Sequence, residues 1–335
     1  MNYRLNKNRA YEFNLTVDLD KADLDSCISE AGKYLTNDLK LDGFRRGKVP
    51  LDIAKDKLDK NRLMETAFNL AFRQSFSEVL SKEKLEVIET GNFQVKENFP
   101  QKLVYSLTLT VFPELEVKNY KKVKIDRKEI FVSRAEVDKV IESIKKSRAA
   151  DGTVPEINDD FAKSLGRFQN VGELEVSIYE GLKQEKETRE KTRVRAALLD
   201  KIAENTKVDL PLVLVNRQLD QMMFDLETDL RQQGMELGLF LAKIKKTGGQ
   251  LRGEWKSKAE LLVRKALILK EIARLEEIKV EPEEIKAKVD GFLANLSGVE
   301  EAEKKIDLAK LGEQIEQVIL NEKVLAFLEK EAEYI

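Results

Sequence analysis

Histidine is absent from all 335 residues, which removes the commonest general base and the commonest metal ligand. One cysteine, Cys27, excludes intrachain disulfides and thiolate metal clusters. It falls on the apolar stripe of an expected helix, where a thiol packs as a small hydrophobe. Proline is scarce, at 6 residues, so little interrupts the long stretches rich in Glu, Lys, Leu and Ala. No run of about 18 apolar residues occurs, so no helical bilayer span is expected. The amino terminus carries Arg4, Lys7 and Arg9 with no apolar run behind them, unlike a signal peptide, and the cytoplasm is the expected compartment. Neither sign of charge dominates: Lys+Arg 59 against Asp+Glu 61 leaves a formal net charge of -2, so any nucleic-acid contact must be local.

What is present is charge and helix. Charged residues reach 36% and hydrophobic ones 42%, with a mean hydropathy of -0.43, which suits an elongated helical molecule with much surface for its core. The length allows two or three domains.

Tyr11, Phe13, Leu15 and Val17 alternate with polar residues, the period of a half-buried strand, expected here as the first. Asp20 caps a helix with apolar positions Leu24, Cys27, Ile28, Ala31 and Leu35. Pro50 suits the first turn of a short helix from Leu51, and a longer helix follows from about Asn61 to Ser81. Its row Met64, Ala67, Phe68, Ala71, Phe72, Phe76, Val79 and Leu80 reads as a core stripe. Two short strands about Gly91-Asn92 read as a hairpin, and Leu103 to Val111 alternates again. These elements predict an α+β domain, residues 1–113, with helices on one face of an antiparallel sheet. Residues 114–158 form a basic linker and one helix with the capping box Ser133 to Glu136. Residues 159–335 read as a mostly α-helical domain with helical arms. Its helices start near Pro211 and Pro282, and Gly234, Gly248-Gly249 and Gly298 mark helix ends.

The most informative segment is Gly43-Phe44-Arg45-Arg46-Gly47-Lys48-Val49-Pro50. Two glycines frame an aromatic and two arginines, a loop built to present a pocket-filling ring and two guanidiniums to an anionic target. It is not a phosphate-binding P-loop: Gly43 and Gly47 stand one residue too close, and Val49 replaces the required hydroxyl. A solvated basic turn and an RNA-binding loop remain open on these residues alone.

The octapeptide is similar to the ribosome-binding signature of the trigger factor family, the bacterial chaperones of the polypeptide exit tunnel. The order of strand, helix, loop, proline-started helix, long helix and closing strands resembles that family's N-terminal domain, and Val208-Asp209-Leu210-Pro211 resembles the start of one of its arm helices. The resemblance implies docking on protein and rRNA of the large ribosomal subunit by Gly43, Phe44, Arg45, Arg46, Gly47, Lys48 and Pro50. It implies a cytoplasmic, partly ribosome-bound chaperone that holds nascent or unfolded polypeptides without cofactor, metal, ATP or membrane. A second copy of the chain stays open as a further partner. The family usually carries a prolyl isomerase domain after the helix that ends here near Ala149. Only Asp151 to Asn158 separates Ala150 from the next helical segment, too little for a domain, so no catalytic residue and no isomerase activity are expected.

Met222, Met223, Phe224, Leu226, Leu230, Met235, Leu239 and Phe240 form the expected client-binding surface. Three of the 5 methionines lie there, and methionine adapts to apolar partners of varied shape. Packing between helices explains part of this set, but three consecutive apolar residues at 222–224 spread round the helix beyond one core stripe. The charged run Lys186 to Arg195 reads as solvated helix surface. The rival functions are an RNA-binding ribosome-associated factor that does not handle nascent chains, and a helical scaffold or periplasmic-type chaperone of related C-terminal architecture, the periplasmic version being disfavoured by the expected lack of a signal peptide.

Overall fold

The computed structural model describes residues 1–38, 59–97, 99–148, 156–294 and 307–335. It divides into two compact units, one of Met1–Glu114 with Val208–Val263 and the other of Leu115–Lys207 with Arg264–Ile335.

The first unit opens with β1 (Asn2–Arg9), β2 (Glu12–Leu19), α1 (Lys21–Asp38), α2 (Lys60–Glu83), β3 (Val87–Glu97) and β4 (Leu103–Val111). The four strands form one antiparallel sheet in the order β1-β2-β4-β3. Leu15, Val17 and Leu19 of β2 and Leu103, Tyr105, Leu107, Leu109 and Val111 of β4 are buried, and they share one core with Leu24 and Cys27 of α1 and Ala71 and Val79 of α2. The period of two in the sequence thus becomes one sheet face against two helices. The α+β class expected of this region is the one observed.

Four strands were expected and four form the sheet, but they are not the same four. The expected first strand is the second, because β1 precedes it as an edge strand. Only its Tyr3 and Leu5 are part-buried while Arg4, Lys7 and Arg9 are exposed, so its apolar alternation is too short to register, and edge strands keep such charges. Gly91-Asn92 is not a hairpin turn either. β3 runs straight through it, with Gly91 opposite Thr108 and Gln94 opposite Ser106, so one extra residue is absorbed as a bulge in which Asn92 takes φ 50. The long strand β4 pairs with all of β3, which leaves no reason for β3 to fold on itself.

The rest of this unit is helical: α6 (Leu212–Gln232), α7 (Leu237–Lys243) and the first part of α8 (Gly248–Leu275). Val215, Leu219 and Ala259 are buried together, with Leu210, Met222 and Trp255 packed against them. Gly248-Gly249, expected at a helix end, instead open α8. Thr247 N–H donates to Gln250 Oε1 at 2.9 Å and Gln250 N–H donates to Thr247 Oγ1 at 3.2 Å. This reciprocal cap starts the helix despite the glycines behind it.

The second unit holds β5 (Lys124–Ile125), α3 (Arg134–Ser147), α4 (Asp159–Ser164), α5 (Val171–Asn205), the end of α8, α9 (Pro282–Ala294), α10 (Leu308–Glu331) and β6 (Glu333–Tyr334). Val132, Val137 and Ile141 pack on Ile178 and Leu182 of α5, and Phe161, Ala162 and Leu174 gather Ile144, Leu165 and Phe168. Only residues 148–158 join α3 to α4, a span too short to hold a folded domain. The predicted capping box is present, with Ser133 N–H donating to Glu136 Oε2 at 2.9 Å.

Candidate functional site

The loop Gly43–Pro50 and the short helix expected from Leu51 lie outside the described residues, so Phe44, Arg45, Arg46 and Lys48 carry no structural account. The helices on either side of them do. In α1 the reciprocal pair Asp20 and Asp23 caps the start, each carboxylate accepting from the other's N–H at 3.1 and 3.3 Å. At the start of α2, Asp59 accepts from Asn61 N–H at 2.8 Å. Cys27 of α1 lies 3.5 Å from Gln74 Oε1 of α2, and Gln74 donates to Glu30 at 2.8 Å. Cys27 is buried, and burial, ahead of the charges of Glu30 and Asp23, pushes its thiol pKa up. It is a packed thiol and not a thiolate nucleophile.

The phenylalanine row of α2 packs against the core from its margin: Ala67, Ala71 and Val79 of the stripe are buried, while Phe68, Phe72 and Phe76 are half-buried. Phe72 stacks on Phe76 with centroids 5.5 Å apart and meets Phe93 and Tyr105 edge-on at 5.3 and 5.1 Å. Tyr105 is fully buried. Its hydroxyl lies 2.8 Å from Ser75 Oγ, which itself donates to the Ala71 carbonyl at 2.6 Å, so the phenol is the donor in that contact. Burial pushes the Tyr105 pKa up to about 12.

The methionine-rich surface divides along its helices. Leu230 is buried, Met222 packs into the Val215–Leu219–Ala259 cluster, and Met223, Leu226, Met235 and Phe240 are half-buried. Phe224 and Leu239 are 63% and 65% exposed. The chain passes from α6 to α7 through Gly234 at φ 72, with Met235 N–H donating to the Leu230 carbonyl at 2.8 Å. That positive φ is what lets α6 stop and α7 return apolar residues to the surface. Around Phe224 the charges are locally satisfied: Arg252 meets Asp220 at 2.5 Å and Arg231 meets Glu227 at 2.6 Å. A contact not foreshadowed by any local pattern is Arg217 of α6 donating to the Ile88 carbonyl at 3.1 Å, at a break in the β3–β4 register.

The charged run Lys186 to Arg195 is not simply solvated surface. Lys186 meets Glu136 at 2.7 Å and donates to the Phe131 carbonyl at 2.6 Å. Arg193 pairs with Glu190 and donates to the Asp126 carbonyl, and Arg195 binds Glu322 at 2.8 Å and Glu329 at 3.0 Å. Glu190 is buried, and Arg193 together with Lys128 N–H holds its pKa at about 2. Glu136 is held at about 2 by Lys186 and by Ser133. The run is a seam that fastens α5 to the linker and to α10, since partners far apart in sequence cannot be read from local charge spacing.

No group of three or more His, Cys, Asp or Glu among the described residues could hold a metal ion. None of their helices is long and apolar enough to cross a membrane.

An α+β domain stands in an otherwise mostly helical chain that exposes apolar side chains such as Phe224 and Leu239 on its helices. Family comparison places this chain. The model of the bacterial trigger factor protein matches residues 1–144 and the model of its C-terminus matches residues 170–330. The chain belongs to the trigger factor family of chaperones. It is 23% identical to the trigger factor of Clostridium beijerinckii over 425 positions, covering 98% of this chain and 99% of that one. The trigger factor of Caldicellulosiruptor bescii is 22% identical over 430 positions, covering 100% and 98%. Both alignments run at least 90 positions beyond the 335 residues present here, and the two family models leave only residues 145–169 between them. The fold resembles a solved trigger factor chaperone described for promiscuous substrate recognition in folding and assembly, with a TM-score of 0.52 at 16% identity over 99% of this chain and 100% of that one.

Proposed function

We propose that this protein is an ATP-independent chaperone that docks at the polypeptide exit of the large ribosomal subunit and holds apolar segments of nascent chains in the cytoplasm. The observation that carries the reading is the sequence Gly43 to Pro50, placed between two capped helices of a chain matched by the trigger factor models. Phe44 supplies an anchor for a protein pocket, Arg45 and Arg46 supply bidentate donors for phosphate or carboxylate, and Gly43 and Gly47 permit the tight turn. Docking raises the effective concentration of weak apolar contacts, so that a client is held without a tight site.

Phe224 and Leu239, exposed among Met222, Met223, Leu226, Leu230, Met235 and Phe240, are the client-contacting centre of that surface. No covalent step is involved. With residues 148–158 as the whole connection between α3 and α4, the chain holds clients without isomerising their prolines. Substoichiometric acceleration of cis/trans exchange in a test peptide would contradict this.

The deciding experiment is ribosome cosedimentation of the wild type beside a Phe44→Ala, Arg45→Ala, Arg46→Ala variant. The wild type is expected to pellet with ribosomes and the variant to stay in the supernatant. Equal pelleting of both defeats the docking assignment. Binding that persists on naked RNA and falls steeply with salt favours an RNA-binding factor instead.

A further inference from the structure

The two edges of the four-stranded sheet differ. β1 keeps Arg4, Lys7 and Arg9 exposed along its length, charges that discourage a further strand. β3, the opposite edge, runs for 11 residues and pairs with β4 alone among the described strands. From Thr90 to Val95 it carries neither charge nor proline, and its Phe93 and Val95 are 48% and 47% exposed. A long uncharged edge with apolar side chains is a template for pairing with another chain.

Beside this edge a groove of about 460 Å³ lies between β3 and α2. Phe68 and Phe72 of α2 and Phe93 of β3 form its apolar wall, with Asn69, Thr90 and Asn92 at its rim. The bulge shapes it. Asn92 and Phe93 together stand where β4 has only Leu107, and the Phe93 ring lies 5.3 Å from Phe72 and 6.0 Å from Tyr105. No lining residue is charged. Glu65 and Arg73 stand one turn either side of Asn69 on α2, and Glu89 and Lys96 flank the uncharged stretch of β3, so the charges at the margin balance. Such a groove suits a neutral apolar side chain and not an ion.

The start of the edge is closed by Arg217 of α6, which donates to the Ile88 carbonyl at 3.1 Å. Phe224 follows Arg217 by seven residues, two turns along the same face of α6 and about 10 Å further on. The open edge and the apolar surface centred on Phe224 therefore adjoin at Arg217.

We propose that an extended, uncharged segment of an unfolded polypeptide adds to β3 as a fifth strand. Its main chain bonds the edge between Thr90 and Val95, and one leucine or aromatic side chain enters the groove of Phe68, Phe72 and Phe93. Main-chain bonding holds any sequence able to extend, and the groove selects only for an apolar side chain at one position. The inference rests on the client-holding function and adds a subsite in the sheet domain that reads main chain, where the methionine-rich surface offers side chains alone.

The test uses the full chain and a fluorescently labelled octapeptide of alternating Thr and Val with one central Phe, beside the same peptide methylated on its central amide nitrogens. The wild type is expected to bind the unmethylated peptide about tenfold more tightly, and binding is expected to slow amide hydrogen exchange within residues 89–97. Phe93→Ser with Val95→Lys is expected to weaken binding of the unmethylated peptide about tenfold. Val95→Lys alone, a change on the exposed edge, is expected to weaken it about threefold, which keeps the idea open to refutation if the double variant misfolds. Equal affinity for the two peptides overturns the proposal, as does a preference that survives undiminished in both variants. Exchange at 89–97 that slows with protein concentration in the absence of peptide assigns the edge to a second copy of the chain and overturns it too. If the wild type keeps denatured proteins soluble yet does not distinguish the peptides, the edge assignment fails and client holding stands. If it holds neither peptides nor denatured proteins, client holding fails as well.

Discussion

Among single residues, the pair Ser75 and Tyr105 shows how a buried polar contact sets the cost of substitution. Tyr105→Phe removes the donor and leaves Ser75 still bonded to the Ala71 carbonyl, so a loss of about 0.5–1.5 kcal/mol is expected. Ser75→Ala leaves the Tyr105 hydroxyl buried without a partner, which costs about 1–3 kcal/mol. Urea melts of the two variants should therefore rank Ser75→Ala as the less stable. Alternation along β4 placed Tyr105 in the core, but nothing in the sequence joined it to a serine on α2, because that contact depends on how helix and sheet meet.

Single elements owe their ends and their fastening to polar groups. The Thr247 and Gln250 box starts α8, and Thr247→Ala is expected to cost about 1 kcal/mol, read as a lowered melting midpoint. Further along the chain, α5 is fastened by carboxylates with depressed pKa values. Glu190, held at about 2 by Arg193 and Lys128 N–H, takes up its proton less readily folded than unfolded. Its contribution to stability is therefore complete above the ordinary carboxylate pKa of about 4.3, and is lost as pH falls through about 2. Glu136, similarly held by Lys186 and Ser133, adds in the same direction. Chemical denaturation between pH 5 and pH 2 should show a smaller pH-dependent loss in Glu190→Gln than in the wild type; equal slopes would deny Glu190 that role.

For the molecule as a whole, the proposed function separates docking from holding. Phe224→Ser with Leu239→Ser removes exposed apolar surface and should change stability by no more than about 0.5 kcal/mol. Suppression of aggregation of denatured proteins is expected to fall severalfold, while ribosome cosedimentation stays at the wild-type level. The Phe44, Arg45, Arg46 variant should give the reverse result. If Phe224→Ser with Leu239→Ser protects clients as well as the wild type, the client surface has been placed on the wrong residues.

Much of the fold was legible from periodicity. The apolar stripe of α2, the burial of Cys27, the Ser133 capping box and the helix starts at Pro211 and Pro282 all follow from local rules, since a helix or strand face is set by neighbours within a few residues. The octapeptide was legible for the same reason, because a loop chemistry is written in consecutive residues. Tertiary structure alone decided the rest. It added β1 at the sheet edge and turned Gly91-Asn92 from a hairpin into a bulge, because β4 is a longer partner than β3 could be to itself. It also converted the charged face of α5 into a seam. Pairing across tens or hundreds of residues depends on which surfaces meet, and that is fixed by the packing of whole elements, not by the spacing of residues along one of them.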